Sequence, residues 1–518
     1  MPPPMPPPAP GPSLVEKLGK EGAGSRLLAW VGGAVTLLGI VLLLVLAIQR
    51  GWLGPLPRVL GGAGFGLGLI GAGLWLHRNP AGRTGAFALA ATGIAALYLD
   101  TVSATTLYEY LPALGGLAVG LLIAVGGLLL AMRWNSALLG TAVVVGCAVC
   151  APVITQGFAP ELVAFLLMVQ VATAPAQLRR NWPSLAVAGG TPPLLASVFS
   201  TTWIAGSGSW ANTAAALAAG VVGIVLALIV ARRRPDDGGA LVLLAAAAAP
   251  ALIAALFLPK SQAVLVSAGV AVVLLGVWAA VRGRTGDLAG VAGLVAVLQA
   301  TVTWFDGTAC AAVLFGEAIL LVLSALWARN KVALVGALGF SLLGLGFAWG
   351  GDFPPVLFFQ FRVRTSGEFA GACSVAALLL VVSVGLPWVA SRLGMLRPPS
   401  KNLTPWLFAG VAALYGAAGV VLCGSLVVMP DRSGFLVGHV LITVSWTVAA
   451  LVLLVRGINL VAPRVIGLLL VGAAVLKLVL FDLSALDGMA RVAAFLCAGL
   501  ILLAAGARYA RLVATRTG

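Results

Sequence analysis

Two ionisable residues stand inside apolar runs: Glu317, nine residues into the stretch 308–327, and Lys477, five residues before Asp482 in the stretch 464–481. At 1.5 Å per helical residue, Glu317 lies about 14 Å beneath the nearer end of its run, beyond the reach of a short side chain to water. Such a carboxyl must be protonated, paired or turned to a wet cavity. Its chemistry is then proton coupling or substrate binding, or it is a structural group hydrogen-bonded between helices. Lys477 lies about 7 Å from its nearer end, so its long stem either snorkels outward or reaches Glu317, which would lower the cost of both charges. Asp306, Asp482, Asp487 and Arg491 fall at the ends of the same runs, on one rim. Charges there either cap helices or form a shared external site. Asp100, with Tyr98 and Glu109 nearby, reads in the same way.

Several familiar chemistries lack their residues. The sequence has two histidines, which excludes a His-rich metal site and leaves His439 as a packed, hydrogen-bonded residue. Cys147 and Cys150 form a CxxC, but both lie in an apolar run, where a reactive thiolate is disfavoured. Gly66, Gly68 and Gly71 match GxGxxG without a preceding strand, a pattern that reads as helix packing and not as a dinucleotide site. There is no P-loop, HExxH or GxSxG, so no cofactor, metal or catalytic residue is indicated and ATP-driven pumping by this chain is not expected.

The elements that position these residues are membrane helices. Of 518 residues 61% are hydrophobic and 9% charged, too few charges to cover a water-soluble fold. Runs long enough for a hydrocarbon core of about 30 Å recur almost without pause. They occupy 27–48, 57–76, 85–104, 111–131, 136–154, 160–178, 183–201, 210–231, 239–258, 262–281, 286–304, 308–327, 331–349, 367–391, 404–428, 434–455, 464–481 and 489–510. The predicted fold is all-α, a single polytopic domain over 27–512, with a Pro-rich tail at 1–26 and a short basic tail at 513–518.

The basic residues check this threading, because Lys and Arg favour cytoplasmic connections. Of 31 Lys and Arg, 23 fall in the N-terminal segment, the even-numbered connections and the C-terminus, and seven in the odd-numbered connections. A missed or invented crossing would invert the bias from that point on, so both ends are placed inside. The net charge of +16 is spread between apolar runs, a pattern suited to orientation and anionic headgroups and not to nucleic acid. The connection from Gly350 to Ser366 carries Phe353, Phe358, Phe359, Phe361, Arg362 and Arg364, and is expected to lie along the outer interface.

The segments GWLGPLPR (51–58), ALYLDTVSATTLYEYL (96–111), WFDGTACAAVLFGEAILLVLSALW (304–327) and RVIGLLLVGAAVLKLVLFDLSALDGMARVAAFL (464–496) resemble bacterial membrane proteins carrying domain of unknown function 2339. The most specific parts are Asp306, Gly307 and Glu317, and the series Lys477, Asp482, Asp487, Arg491. Cys310 departs from that pattern, where the family often has a bulkier residue. The resemblance implies an architecture in a bacterial cytoplasmic membrane and carries no established activity. An Arg to Lys ratio of 25 to 6 fits a GC-rich bacterial genome. The leading expectation is a non-ATPase transporter or flippase-like protein whose partners are membrane lipids and a lipid-linked envelope precursor. The alternatives are a glycosyltransferase-like enzyme acting at the external face, and an envelope scaffold.

Overall fold

The computed structural model describes residues 54–203, 210–351, 353–399, 401–456 and 461–479, with isolated helical positions between 35 and 46 and between 489 and 503. The tails at 1–26 and 513–518 and most of the first and last predicted crossings lie outside them, as does Cys497. The described residues form helices and connections without a strand. Among the described residues, fourteen segments are long and apolar enough to cross a membrane. The chain is therefore an all-α polytopic bundle. Its helices pack as two compact units, residues 1–293 and 294–518.

In the first unit the helices are α1 (Pro55–Leu76), α2 (Arg83–Val102), α3 (Ala113–Trp134), α4 (Ala137–Ile154), α5 (Pro160–Arg179) and α6 (Pro183–Trp203), followed by α7 (Trp210–Arg233), α8 (Gly238–Ala246), α9 (Ala249–Ala255) and α10 (Lys260–Ala280). Proline opens α1, α5 and α6, where a missing N–H costs no helical hydrogen bond. α3 ends on Asn135 in the left-handed region (φ 52°), and the next residue, Ser136, caps α4 by accepting from Leu139 N. The hairpin is thus closed by two residues.

The glycine-rich first helix packs on α2 through one face. A Cβ on Gly66 would sit 3.0 Å from the Gly93 carbonyl, and one on Gly93 would sit 2.7 Å from the Gly66 carbonyl. Gly73 meets Ala86 and Ala90 in the same way, and Gly62 meets Asp100, whereas Gly61, Gly64, Gly68 and Gly71 face open space. Of the GxGxxG triplet, Gly66 makes the close approach. Past Asp100 the helix widens into a π-turn over Ser103–Leu107. Thr101, Ser103, Thr105 and Thr106 each donate to the carbonyl four residues back, which competes with the regular ladder there.

The predicted run 239–258 is not one continuous helix. It breaks at Ala247–Ala248 between α8 and α9, because Pro250 has no N–H to offer the Ala246 carbonyl. Gly220 and Gly223 of α7 lie against Ala247 and leave room for the break.

α11 (Arg284–Trp304) contains the boundary between the units. The second unit continues with α12 (Gly307–Ala328), α13 (Lys331–Gly350), α14 (Ser366–Arg392), α15 (Thr404–Val428), α16 (Arg432–Arg456) and α17 (Val461–Lys477). α12 ends as α3 does: Arg329 is left-handed (φ 51°), and Asn330 caps α13 through Val332 N and Ala333 N. The aromatic connection between α13 and α14 is not confined to the interface. Phe353 is fully buried against Gly419 of α15, and its carbonyl accepts from Tyr415 Oη at 2.7 Å. Gly419 has no side chain to refuse the ring, and Tyr415 satisfies the carbonyl that the insertion buries. Phe359 and Val363 stay exposed.

Candidate functional site

Glu317 sits at the midpoint of α12, turned toward α11. Thr301 Oγ1 of α11 donates to Glu317 Oε1 at 2.6 Å, while Glu317 Oε2 is buried with no hydrogen-bond partner. The carboxyl group offers roughly four lone-pair sites and receives one donor. What the site lacks is a second donor: a proton, a hydroxyl or a cationic group. Beside Glu317 runs a bare stripe of the same helix: a Cβ on Gly316 would meet nothing within 4 Å, and Leu320, Leu323 and Trp327 are 66%, 54% and 95% exposed. On the opposite side Cys310, Leu314 and Ala318 are fully buried. The carboxyl therefore stands between packed helix and open apolar surface.

Lys477 does not join Glu317, and it does not snorkel outward. Its ammonium turns back into the bundle, donating to the His439 carbonyl at 3.2 Å and to Thr443 Oγ1 at 2.7 Å on α16. The direction follows from helix geometry, because side chains lean toward the N-terminus of their own helix and Lys477 is the last residue of α17. Of the packed, hydrogen-bonded state expected for His439 the structure bears out the packing: the residue is 1% exposed, with Phe435 edge-on at 4.5 Å. Thr443 donates to the His439 carbonyl as well, so that one carbonyl anchors both groups.

The rim residues separate. Asp306 takes the N-cap position of α12 in extended backbone, but its side chain makes no capping hydrogen bond. Asp100 is not a rim cap: it lies inside the crossing that ends at Leu107, over Gly62, with Oδ1 buried and lacking a hydrogen-bond partner. Arg58, one turn before Gly62 on α1, donates to Tyr108 Oη at 3.3 Å. Asp482, Asp487 and Arg491 lie outside the described residues. Cys147 and Cys150 are free thiols. Among the described residues no three His, Cys, Asp or Glu side chains converge as a metal site would require.

The partner of Glu317 was not legible beforehand. Thr301 is one of two hydroxyl residues in its run, with Thr303, and the signal for it would have been a polar side chain directed at the neighbouring crossing at the depth of the carboxyl.

The geometry can be set beside known families. The family model described as "Predicted membrane protein (DUF2339)" matches residues 24–420 and again 369–512. The chain belongs to this family. Both the Asp306–Glu317 segment and the Lys477 segment fall inside the matched regions, so the DUF2339 assignment covers the residues on which the resemblance rests. No curated protein matches the chain, and no solved structure does. The DUF2339 description gives a membrane protein and no chemistry.

Proposed function

We propose that this chain is a non-ATPase transporter or flippase-like protein of a bacterial cytoplasmic membrane, moving a lipid or lipid-linked envelope precursor. The observation that carries the reading is the half-satisfied carboxyl of Glu317 beside a bare apolar stripe. A group that needs one more donor, placed at the border of the lipid phase, suits a headgroup that supplies a hydroxyl or amine while its chains remain outside in lipid. A free carboxylate at such depth is costly, and binding offsets that cost. The apolar stripe on α12 supports a lipid over a water-soluble solute.

The test is transbilayer movement of a fluorescent polyprenyl-phosphate-linked sugar in vesicles containing the purified protein. Glu317→Gln keeps the shape and removes the charge; it should slow movement at least tenfold while helix content stays unchanged. A Gln variant as fast as the parent would eliminate the reading. The external-face enzyme makes the opposite demand, since Asp306→Asn would then abolish turnover and Glu317→Gln would spare it.

A further inference from the structure

We infer that the first unit holds a monovalent-cation site at the bilayer midplane, between α5 and α6, made of Gln170 Oε1 and the backbone carbonyls of Ala188 and Gly189. Gln170 is 1% exposed, and its Oε1 is buried with no hydrogen-bond partner. A buried amide oxygen left without a donor costs free energy, so its retention at the centre of α5 calls for an occupant.

The opposite wall has the same character. Pro192 and Pro193 stand in the middle of α6. Neither has an N–H, so the carbonyls of Ala188 and Gly189 lose the donors four residues ahead of them. The register places these groups at neighbouring levels of the two helices. Thr173 packs on Gly189, where a Cβ would sit 3.0 Å from Thr173 Oγ1. α5 and α6 are antiparallel neighbours, so three residues back from Thr173 corresponds to three residues on from Gly189. Gln170 is thereby level with Pro192. Helical carbonyls point toward the C-terminus, which directs the released pair at that same level.

The balance of donors and acceptors selects the ligand. The Thr173 hydroxyl proton goes to the backbone carbonyl of Gln170 at 2.6 Å, and its oxygen accepts from Gln177 Nε2 at 2.7 Å, so Thr173 has no proton left for a guest. Besides the NH2 of Gln170 itself the site offers only acceptors, the Gln170 Oε1 and the two released carbonyls, which suits a cation and repels an anion. The acids between the start of α5 and the end of α9 are Glu161, in the first turn of α5, and Asp236 and Asp237, in the connection before α8, all at helix ends, so the oxygens at the centre are neutral dipoles. Neutral oxygens suit a single positive charge; a divalent ion calls for carboxylates. Two neighbouring elements lose regular hydrogen bonding near their centres, α6 at its prolines and the α8–α9 pair at Ala247–Ala248. Interrupted helices of this kind supply cation ligands from freed carbonyls.

The test uses the full-length protein in lipid nanodiscs, with sodium-22 binding and thermal unfolding measured in sodium chloride against choline chloride. Saturable binding that choline does not displace is expected, with potassium or lithium as competitors. Gln170→Leu should raise the half-saturating concentration at least tenfold. Pro192→Ala, which restores a donor to the Ala188 carbonyl, should raise it severalfold. If Gln170→Leu does not fold, Gln170→Asn is read instead, and the same tenfold weakening is expected from the shortened amide. Absence of saturable binding in the parent means that the amide holds water alone and overturns the proposal, as does parental affinity in the Gln170 variant that folds. Glu317→Gln should retain sodium binding, so this result stands or falls apart from the lipid-transport test.

Discussion

The two units place polar chemistry inside the bilayer by different means. Within α5 a threonine, Thr173, links the backbone carbonyl of Gln170 to the neutral side-chain amide of Gln177 in full burial. At α11–α12 a threonine holds an acid, Glu317, at the margin of an exposed stripe. The difference follows from the cost of charge. An uncharged amide is tolerated in the packed centre of a helix bundle, whereas a carboxyl needs a path by which a proton or a counter-group can come and go. The neutral site is built to hold, and the acidic one to exchange.

Interchanging the chemistries breaks the comparison most directly. Gln170→Glu puts a carboxylate where no donor waits for it and should lower unfolding stability in choline by about 3 kcal/mol, with part of the loss recovered in sodium. Glu317→Gln should leave stability within about 1 kcal/mol of the parent, since it removes a charge that had one donor. Equal losses in the two variants, measured by thermal unfolding in detergent, would show that burial and not charge governs both sites. Next in size is a change distant from either site. Gly93→Ala drives a methyl into the Gly66 carbonyl and should cost about 2 kcal/mol by overpacking, which tests whether the α1–α2 contact is as tight as its glycines imply.

Removing the threonines sharpens the contrast further. Thr301→Val should destabilise by about 1.5 kcal/mol, as loss of a hydrogen bond to an acid does, and Thr173→Val by about 0.6 kcal/mol, since its bonds join neutral groups of one helix. The smallest effect is one of pH. His77, in the connection after α1, stacks on Trp134 at 4.3 Å, and burial, with the nearby Arg83, holds its pKa below the ordinary histidine value. A histidine with a depressed folded-state pKa contributes stability above its unfolded pKa, and that contribution fades as pH falls through the folded value. Acidifying from pH 7 to 5 should therefore lower the melting temperature slightly, and His77→Gln should flatten that slope.

Apolar run length sufficed for the architecture, since it reports how helices meet a bilayer and needs no knowledge of neighbours. The described crossings begin and end close to the predicted runs, and α12 spans Gly307–Ala328 where 308–327 was expected. Facing was less accessible. Glu317 was identifiable as a buried acid, but Thr301 became its partner through the packing of α11 on α12. Lys477 was identifiable as a buried base, but its turn toward Thr443 depends on the lean of its side chain and on which helix stands beside it. Phe353 reads as an interfacial ring until Gly419, 66 residues later, opens space for it. Gln170 carried no signal, because a lone amide in an apolar run is common; the tandem proline opposite it was the clue, and its meaning depends on register.

The two-residue closures at Asn135–Ser136 and Arg329–Asn330 also constrain how the molecule moves. Two residues reach about 7 Å at full stretch, and here the first is held in a left-handed bend and the second is tied down as a cap. Neither hairpin, α3 with α4 or α12 with α13, has the slack for one arm to slide past the other. Each must tilt as a single lever, so Glu317 keeps its depth relative to α13 throughout any working cycle.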